Sequence, residues 1–258
     1  MDRLAANLIQ DLSQVRWTPS QGTSVLLSQL GYEHGFWGKT APSIDEIKPH
    51  HVKQVHGRCV GEASEQDIFT ANPRIEADGI FSTKNDVLAV KTADCLPVLV
   101  ASDKFSIVMA IHAGWRGLTA GILLEGLKIA QIHTQTANLK FIIGPAISRE
   151  AFEVGPEVVE ALGKKSCGLP ELFLAFAVSK GKKDRWHVDL QVAAALQLIA
   201  AGVRPQNIEV MRCCTKSDMA EAPEGTLNDR EFSWHSYRRD GKSCGSNWAW
   251  IRGQTGKP

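Results

Sequence analysis

One stretch constrains the fold more than any other. Residues 86–126 read DVLAVKTADCLPVLVASDKFSIVMAIHAGWRGLTAGILLEG. Three runs in it, Val87–Val90, Pro97–Ala101 and Phe105–Ile111, are rich in Val, Ile and Leu and bounded by polar or turn residues. That is the pattern of buried strands. Reactive residue types stand at their ends: Thr92-Ala93-Asp94-Cys95 between the first two, and His112-Ala113-Gly114-Trp115-Arg116-Gly117 after the third. A rigid sheet can aim side chains placed there. A two-residue turn at Asp103-Lys104 would close the last two runs into a hairpin. Cys95 then faces His112, with Cβ atoms roughly 4.5–5.5 Å apart. That is close enough to share a metal ion or a proton. A one-residue change in the turn would send the two side chains to opposite faces. Pro97 cannot donate to a ladder, which predicts an edge or unpaired position for its strand.

The rest of the chain alternates strands and helices. His34–Trp37 reads as a strand. HVKQVHG (51–57) alternates at period two and predicts a short strand that carries Gln54 and His56 on one face. Asp78-Gly79 marks a turn, and Ile80–Ser82 with Val87–Val90 predicts a hairpin through Lys84-Asn85. From Leu118 to Gln131 the period changes to that of a helix, with Ala120, Leu123, Leu124, Leu127 and Ala130 on one face. Phe141–Ile143 is a further strand, stopped by Gly144-Pro145. Pro156–Leu162 is a helix with Pro156 in its first turn. Asp189 is the expected cap of a helix through Ala201, ended by Gly202 and Pro205. Ile208–Cys213, Phe232–Asp240 and Trp248–Ile251 read as strands, and Asp218–Asn228 as a loop. No repeat or linker divides the chain. The expectation is one mixed α/β (α+β) domain over residues 34–258. Residues 1–33, with an amphipathic start at Leu4, Leu8, Ile9 and Leu12, form an N-terminal extension or peripheral element.

A formal net charge of +1 gives no reason to expect nucleic acid or a membrane surface as partner. No apolar run approaches the ~20 residues of a membrane span. The N-terminal residues lack the apolar core of an export signal. The six cysteines contain no CxxC pair, and reduced thiols in a cytoplasmic protein are expected. The neighbours Cys213 and Cys214 are read as thiols rather than a strained disulfide.

His56, Cys95 and His112 are the candidate metal set. One thiolate and two imidazoles suit zinc, and three protein ligands leave a fourth position open, as in catalytic sites. The same Cys95 and His112 could instead be a nucleophile and its base. A structural zinc would need a fourth ligand, for which Cys59 or Cys244 is available. His50 and His51 are read as loop residues.

QVHG (54–57), ADG (77–79), TADCLPVL (92–99), HAGWRG (112–117), IGPAI (143–147), FEVG (152–155), CT (214–215) and SYRRDG (236–241) occur in that order. Together they resemble the YfiH/laccase-domain family, over about residues 34–251. Its members are described as polyphenol oxidases, as purine nucleoside phosphorylases with adenosine deaminase activity, and as peptidoglycan editing factors. The resemblance implies mixed β-sheets packed between helices, similar to a cysteine-hydrolase-like toxin fold. It also implies that His56, Cys95 and His112 bind zinc, with copper as an alternative ion. Two stretches depart from the family pattern: residues 34–42, which lack a Gly pair and carry Lys39 where Arg is usual, and residues 243–250.

On this reading the chain is an enzyme acting on purine nucleosides, with phosphate as co-substrate, as a monomer or small homo-oligomer. Zinc lowers the pKa of bound water to about 7, which suits deamination at C6 of adenine. Phosphorolysis needs a dianion beside the sugar, and an Arg fork matches phosphate. Arg116, near a helix N-terminus, is the expected holder, with Lys53, Arg238 and Arg239 as helpers. Asp94 is read as a partner of a ligand imidazole or as an acid–base group. Gln54 is expected to touch substrate, and Trp115 to stack on a base or fill the core. The alternatives are a cysteine hydrolase acting on a cell-wall precursor and a copper oxidase of phenols. Eight histidines without a His-x-His pair argue against a multicopper centre.

Overall fold

The computed structural model describes residues 11–19, 22–64, 75–164, 170–218 and 233–254. In chain order the strands are β1 (Arg16–Pro19), β2 (His34–Trp37), β3 (Val60–Glu62), β4 (Gly79–Ser82), β5 (Val87–Thr92), β6 (Leu96–Ser102), β7 (Val108–Ala113), β8 (Leu139–Ile143), β9 (Glu153–Val154), β10 (Val178–Lys180), β11 (Trp186–Val188), β12 (Ile208–Arg212) and β13 (Asn247–Arg252). The helices are α1 (Val25–Gln29), α2 (Trp115–Ala120), α3 (Ile122–His133), α4 (Pro156–Lys164), α5 (Pro170–Ala177), α6 (Leu190–Ala200) and α7 (Tyr237–Asp240).

A seven-stranded mixed sheet in the order β1-β12-β8-β6-β7-β4-β3 forms the centre. Its middle strands read as unbroken apolar runs because both faces are covered. Leu96, Val98 and Val100 of β6, with Met109 and Ile111 of β7, enter one core against Leu123 and Leu127 of α3 and the apolar residues of α6. Leu99 and Ala101, with Val108 and Ala110, enter a second core against Leu88 and Val90 of β5 and Ala249 and Ile251 of β13. The second layer is the three-stranded sheet β2-β13-β5. A small sheet, β10-β11-β9, completes the expected mixed α/β single domain.

Several expectations are corrected. β4 and β5 do not form a hairpin: β4 pairs with β3 and β7, and β5 with β13 in the other layer. Asp86 takes up the turn instead, accepting from Ser82 Oγ at 2.6 Å. Residues 51–57 are not a strand; only Lys53 makes an isolated bridge, to Glu76, and His56 has φ of 61°. The helix expected over Leu118–Gln131 is two helices, broken where Gly121 adopts φ of 89° and donates back to Gly117 O and Leu118 O. Tyr237–Asp240 is a helical turn rather than strand, because Ser236 Oγ caps it by accepting from Arg239 N. The expected loop at Asp218–Asn228 lies, past Asp218, outside the described residues, as does the start at Leu4–Ile9.

The β6–β7 hairpin forms with a longer turn, Asp103–Ser106, in which Phe105 has φ of 56°. His112 therefore pairs with Pro97 rather than Cys95. The offset is two residues, so Cys95 and His112 keep the same face. Pro97 is also not at an edge, since β6 lies between β8 and β7. The carbonyl of Pro97 accepts from Gly144 N at 2.8 Å. The return bond is the one proline cannot make, and Gln191 Nε2 donates to Gly144 O in its place, at 2.9 Å.

The described residues before 34 are joined to this core. β1 lies parallel to β12, and Leu12 and Val15 are buried in the first core. Glu209, fully buried in β12, accepts from Ser24 Oγ (2.8 Å), Val25 N (3.0 Å), Leu26 N (2.8 Å) and Thr18 Oγ1 (3.3 Å). It thus serves the open amide groups at the start of α1. Replacing Glu209 by Ala leaves these donors, the buried Ser24 and Leu26 among them, without their acceptor. The expected loss is about 2–4 kcal/mol, read as an earlier denaturant midpoint at unchanged slope. A midpoint equal to wild type would show that β1 and α1 do not depend on Glu209.

Candidate active site

The site forms where three chain segments meet around one carboxylate. Asp78, fully buried just before β4, accepts from His112 Nδ1 at 2.9 Å and from His56 N at 2.8 Å through Oδ1. Its Oδ2 accepts from Gly57 N at 2.6 Å and Val55 N at 3.3 Å. Its own carbonyl accepts from His112 N at 2.6 Å. One residue therefore fixes the ring of His112 on β7 and the backbone of the loop that bears His56. With Nδ1 committed to Asp78, His112 presents Nε2 outward. Among the described residues, the ligand atoms of His56, Cys95 and His112 all lie within 4.8 Å of one another. The two imidazoles stand edge to face, with centroids 4.9 Å apart.

Cys95 stands at the turn from β5 to β6, after Asp94 with φ of 93°. Burial pushes its thiol up, but hydrogen bonds and charge from His112 and His56 outweigh this and bring it down to about 7. Burial pulls His112 down, while Asp78 and Cys95 outweigh it and raise the imidazole to about 9. The pair thus holds its charged forms together. Gly114 leaves the space that this requires, since a Cβ there would stand 2.8 Å from Cys95 Sγ.

The three donors open onto a cavity of about 510 Å³, lined also by Gln54, Lys91, Asp94, Phe152, Tyr237 and Arg238. Gln54 reaches the cavity, but its amide is spent on the backbone of Lys91, donating to the carbonyl and accepting from N–H, each at 2.8 Å. Asp94 reaches no imidazole among its hydrogen-bond partners. Its Oδ1 accepts from Thr215 Oγ1 (2.7 Å) and its Oδ2 from Arg238 N (2.6 Å), so it ties the Cys95 turn to α7. Arg238 lines the cavity and donates from Nη1 to Glu153 O at 3.0 Å.

The other cations expected at the site stand elsewhere. Arg116 is absent from the cavity lining and stacks over Trp115, 4.4 Å from the ring centroid. Arg239 forks onto Asp240 and the carbonyls of Thr215, Lys216 and Trp234. Lys53 pairs with Glu76 at the surface. Neither Cys59 nor Cys244 joins the donor cluster, and Cys213 and Cys214 are not bridged to each other as a disulfide. Sequence reasoning missed Asp78, Lys91, Phe152 and Tyr237. Asp78 stands in the ADG motif but reads locally as a turn, and Tyr237, 55% exposed at the cavity, lies in a segment whose sequence reads as strand.

Residues 40–254 match the family described as multi-copper polyphenol oxidoreductase laccase. The chain is 35% identical over 206 residues to a purine nucleoside phosphorylase of Xylella fastidiosa, covering 79% of this chain and 72% of that protein. It is 35% identical over 135 residues to adenosine deaminase RL5 of an unknown prokaryotic organism, covering 51% and 49%. The crystal structure of the YfiH protein of Bacillus licheniformis shares the fold, with a TM-score of 0.72 at 21% identity over 88% of this chain and 94% of that one. The motifs, the fold and these relatives agree: the chain belongs to the multi-copper polyphenol oxidoreductase laccase family, the YfiH family.

Proposed function

We propose that this protein is a zinc-dependent purine nucleoside phosphorylase acting on adenosine and inosine, with adenosine deaminase activity. The observation that carries this reading is the His56–Cys95–His112 cluster in the wall of a cavity large enough for a nucleoside. The donor set fits zinc: one low-pKa thiol, two imidazoles, and a carboxylate behind one of them that fixes its tautomer. Bound there, zinc supplies Lewis acidity and activates water near neutral pH. The names of the relatives support the substrate class.

The residues of the chain do the rest. Tyr237, 55% exposed at the cavity, offers a ring against which a flat base can pack. Gln54 and Asp94, each held by two hydrogen bonds, fix the segments that carry His56 and Cys95. In phosphorolysis an oxygen of hydrogen phosphate bonds to C1′ while the C1′–N9 bond breaks. The electron pair goes to N9, which takes the proton of the phosphate, leaving ribose 1-phosphate and the purine. The cation pair lining the cavity opposes the charge of the incoming dianion.

A second reading has its own observation. Cys95, His112 and Asp78 are also arranged as thiol, base and orienting carboxylate. That suits a cysteine hydrolase, for instance one cutting an amide of a cell-wall precursor. Copper at the same three donors would serve the phenol oxidation in the family description, since Cu(II) binds most such sites more tightly than zinc. Among the described residues no helix is long and apolar enough to cross a membrane.

Elemental analysis of protein purified without added metal tests the reading, with adenosine assayed with and without phosphate. The expected result is about one zinc per chain and adenine release that needs phosphate. Cys95→Ala and His112→Ala are expected to lose the zinc and at least roughly a hundredfold in turnover. Full turnover by a metal-free Cys95→Ala protein would reject the proposal. Absence of zinc, with Cys95 rapidly alkylated, would favour the hydrolase. Asp78→Asn keeps the shape but weakens the hold on His112. A roughly ten- to hundredfold loss of zinc affinity, measured by chelator competition, is expected. Unchanged affinity would mean that Asp78 only shapes the loop.

A further inference from the structure

The cavity carries a positive charge that the donor cluster does not use. Lys91 and Arg238 are the basic side chains of its lining, and Asp94 is the one carboxylate. Both oxygens of Asp94 are already engaged, by Thr215 Oγ1 and by Arg238 N. Lys91 is fixed in place more firmly than a surface lysine. Its backbone is clamped by the Gln54 amide, and it pairs across the sheet with Trp248. Its Nζ lies over the Trp248 ring, 4.9 Å from the centroid. Among the described residues no carboxylate lies within ion-pair distance of that ammonium, and burial alone pulls its pKa down. Partial desolvation without a carboxylate partner strengthens the attraction for an incoming anion. Arg238 is oriented by Glu153 O and by the Phe152 ring beneath it, 5.3 Å away.

We propose that Lys91, together with Arg238, is the oxyanion site of this cavity and that its ligand is a phosphoryl group. Two cations in one cavity whose single carboxylate is already engaged match a dianion better than a single carboxylate. The choice of phosphoryl rests on the nucleoside reading above. It moves the phosphate contact away from Arg116, which the fold places outside the cavity. The phosphoryl group has two sources, inorganic phosphate as co-substrate or the 5′-phosphate of a nucleotide.

The test uses the full chain as purified, with Lys91→Met, which keeps the stem on Trp248, and Lys91→Arg, which keeps the charge. In the methionine variant the KM for inorganic phosphate is expected to rise roughly ten- to hundredfold, the loss of one charge-assisted hydrogen bond. The KM for adenosine should stay within about twofold and the arginine variant should recover most of the loss. Equilibrium dialysis of labelled inorganic phosphate should show the same ratio without turnover. Arg238→Gln is expected to weaken phosphate in the same direction. If the methionine variant instead loses affinity for AMP and not for inorganic phosphate, the site stands and the nucleotide is its source. Unchanged binding of both overturns it. Lys91-dependent phosphate binding without adenine release would reject the phosphorylase and keep the oxyanion site; phosphorolysis with both phosphate and AMP binding indifferent to Lys91 would do the reverse.

Discussion

The site depends on a buried carboxylate with four polar hydrogens aimed at it. Asp78 takes the Nδ1 proton side of His112 and three consecutive backbone amides, those of Val55, His56 and Gly57. A carboxylate removed from water is costly unless it is satisfied in this way. Once it is satisfied, the 55–57 loop has little freedom left. That explains how His56 is held at φ of 61°, a conformation that costs a non-glycine residue about 1–3 kcal/mol. Asp94, at φ of 93°, is held on the other side by Thr215 and Arg238. Two strained residues thus flank the thiol, each locked by hydrogen bonds to a carboxylate.

The layered fold supplies the rigidity. β6 and β7 are buried on both faces, and their register sets Cys95 and His112 on the same side of the sheet. The hairpin with a four-residue turn differs by two from the simplest one, and an even offset preserves facing. The sheet would tolerate no odd offset, because Val98, Val100, Met109 and Ile111 would then exchange cores with Leu99, Ala101, Val108 and Ala110. The same apolar pattern that builds the core therefore enforces the juxtaposition of thiol and imidazole.

Local patterns in the chain announce what is local. The apolar runs of β5, β6, β8 and β12 and the Asp189 cap of α6 are visible because period and capping act within a few residues. Two errors are local, the helix break at Gly121 and the helical turn capped by Ser236; the others concern partners far apart in sequence. β4 and β5 are five residues apart but belong to different layers, and nothing in the turn between them says so. Gln54 substitutes its side-chain amide for a neighbouring strand, so an alternating segment that reads as strand is a loop. Of the site, Cys95 and the two histidines stand out by residue type and motif. Asp78 does not, because its role is a bond to a ring 34 positions away. Lys91 lies outside the motifs and Tyr237 inside one that does not show its role; both gain meaning only when β5, β13 and α7 converge on one cavity.

The family description and the geometry bear on different chemistries. Multicopper oxidation passes electrons between several ions and needs a donor set for each. Among the described residues the histidines, cysteines and acids make one cluster of three donors, with one buried carboxylate behind it. Such a cluster suits one ion and an open coordination position, which favours polarisation and proton transfer over multi-electron transfer. The cavity beside it points in the same direction. Its lining combines two cations, Lys91 and Arg238, with the aromatic side chains Phe152 and Tyr237. A phenol asks for the rings but not for two positive charges. A nucleoside meeting a phosphate dianion asks for both, and for the metal site to lie at the same cavity.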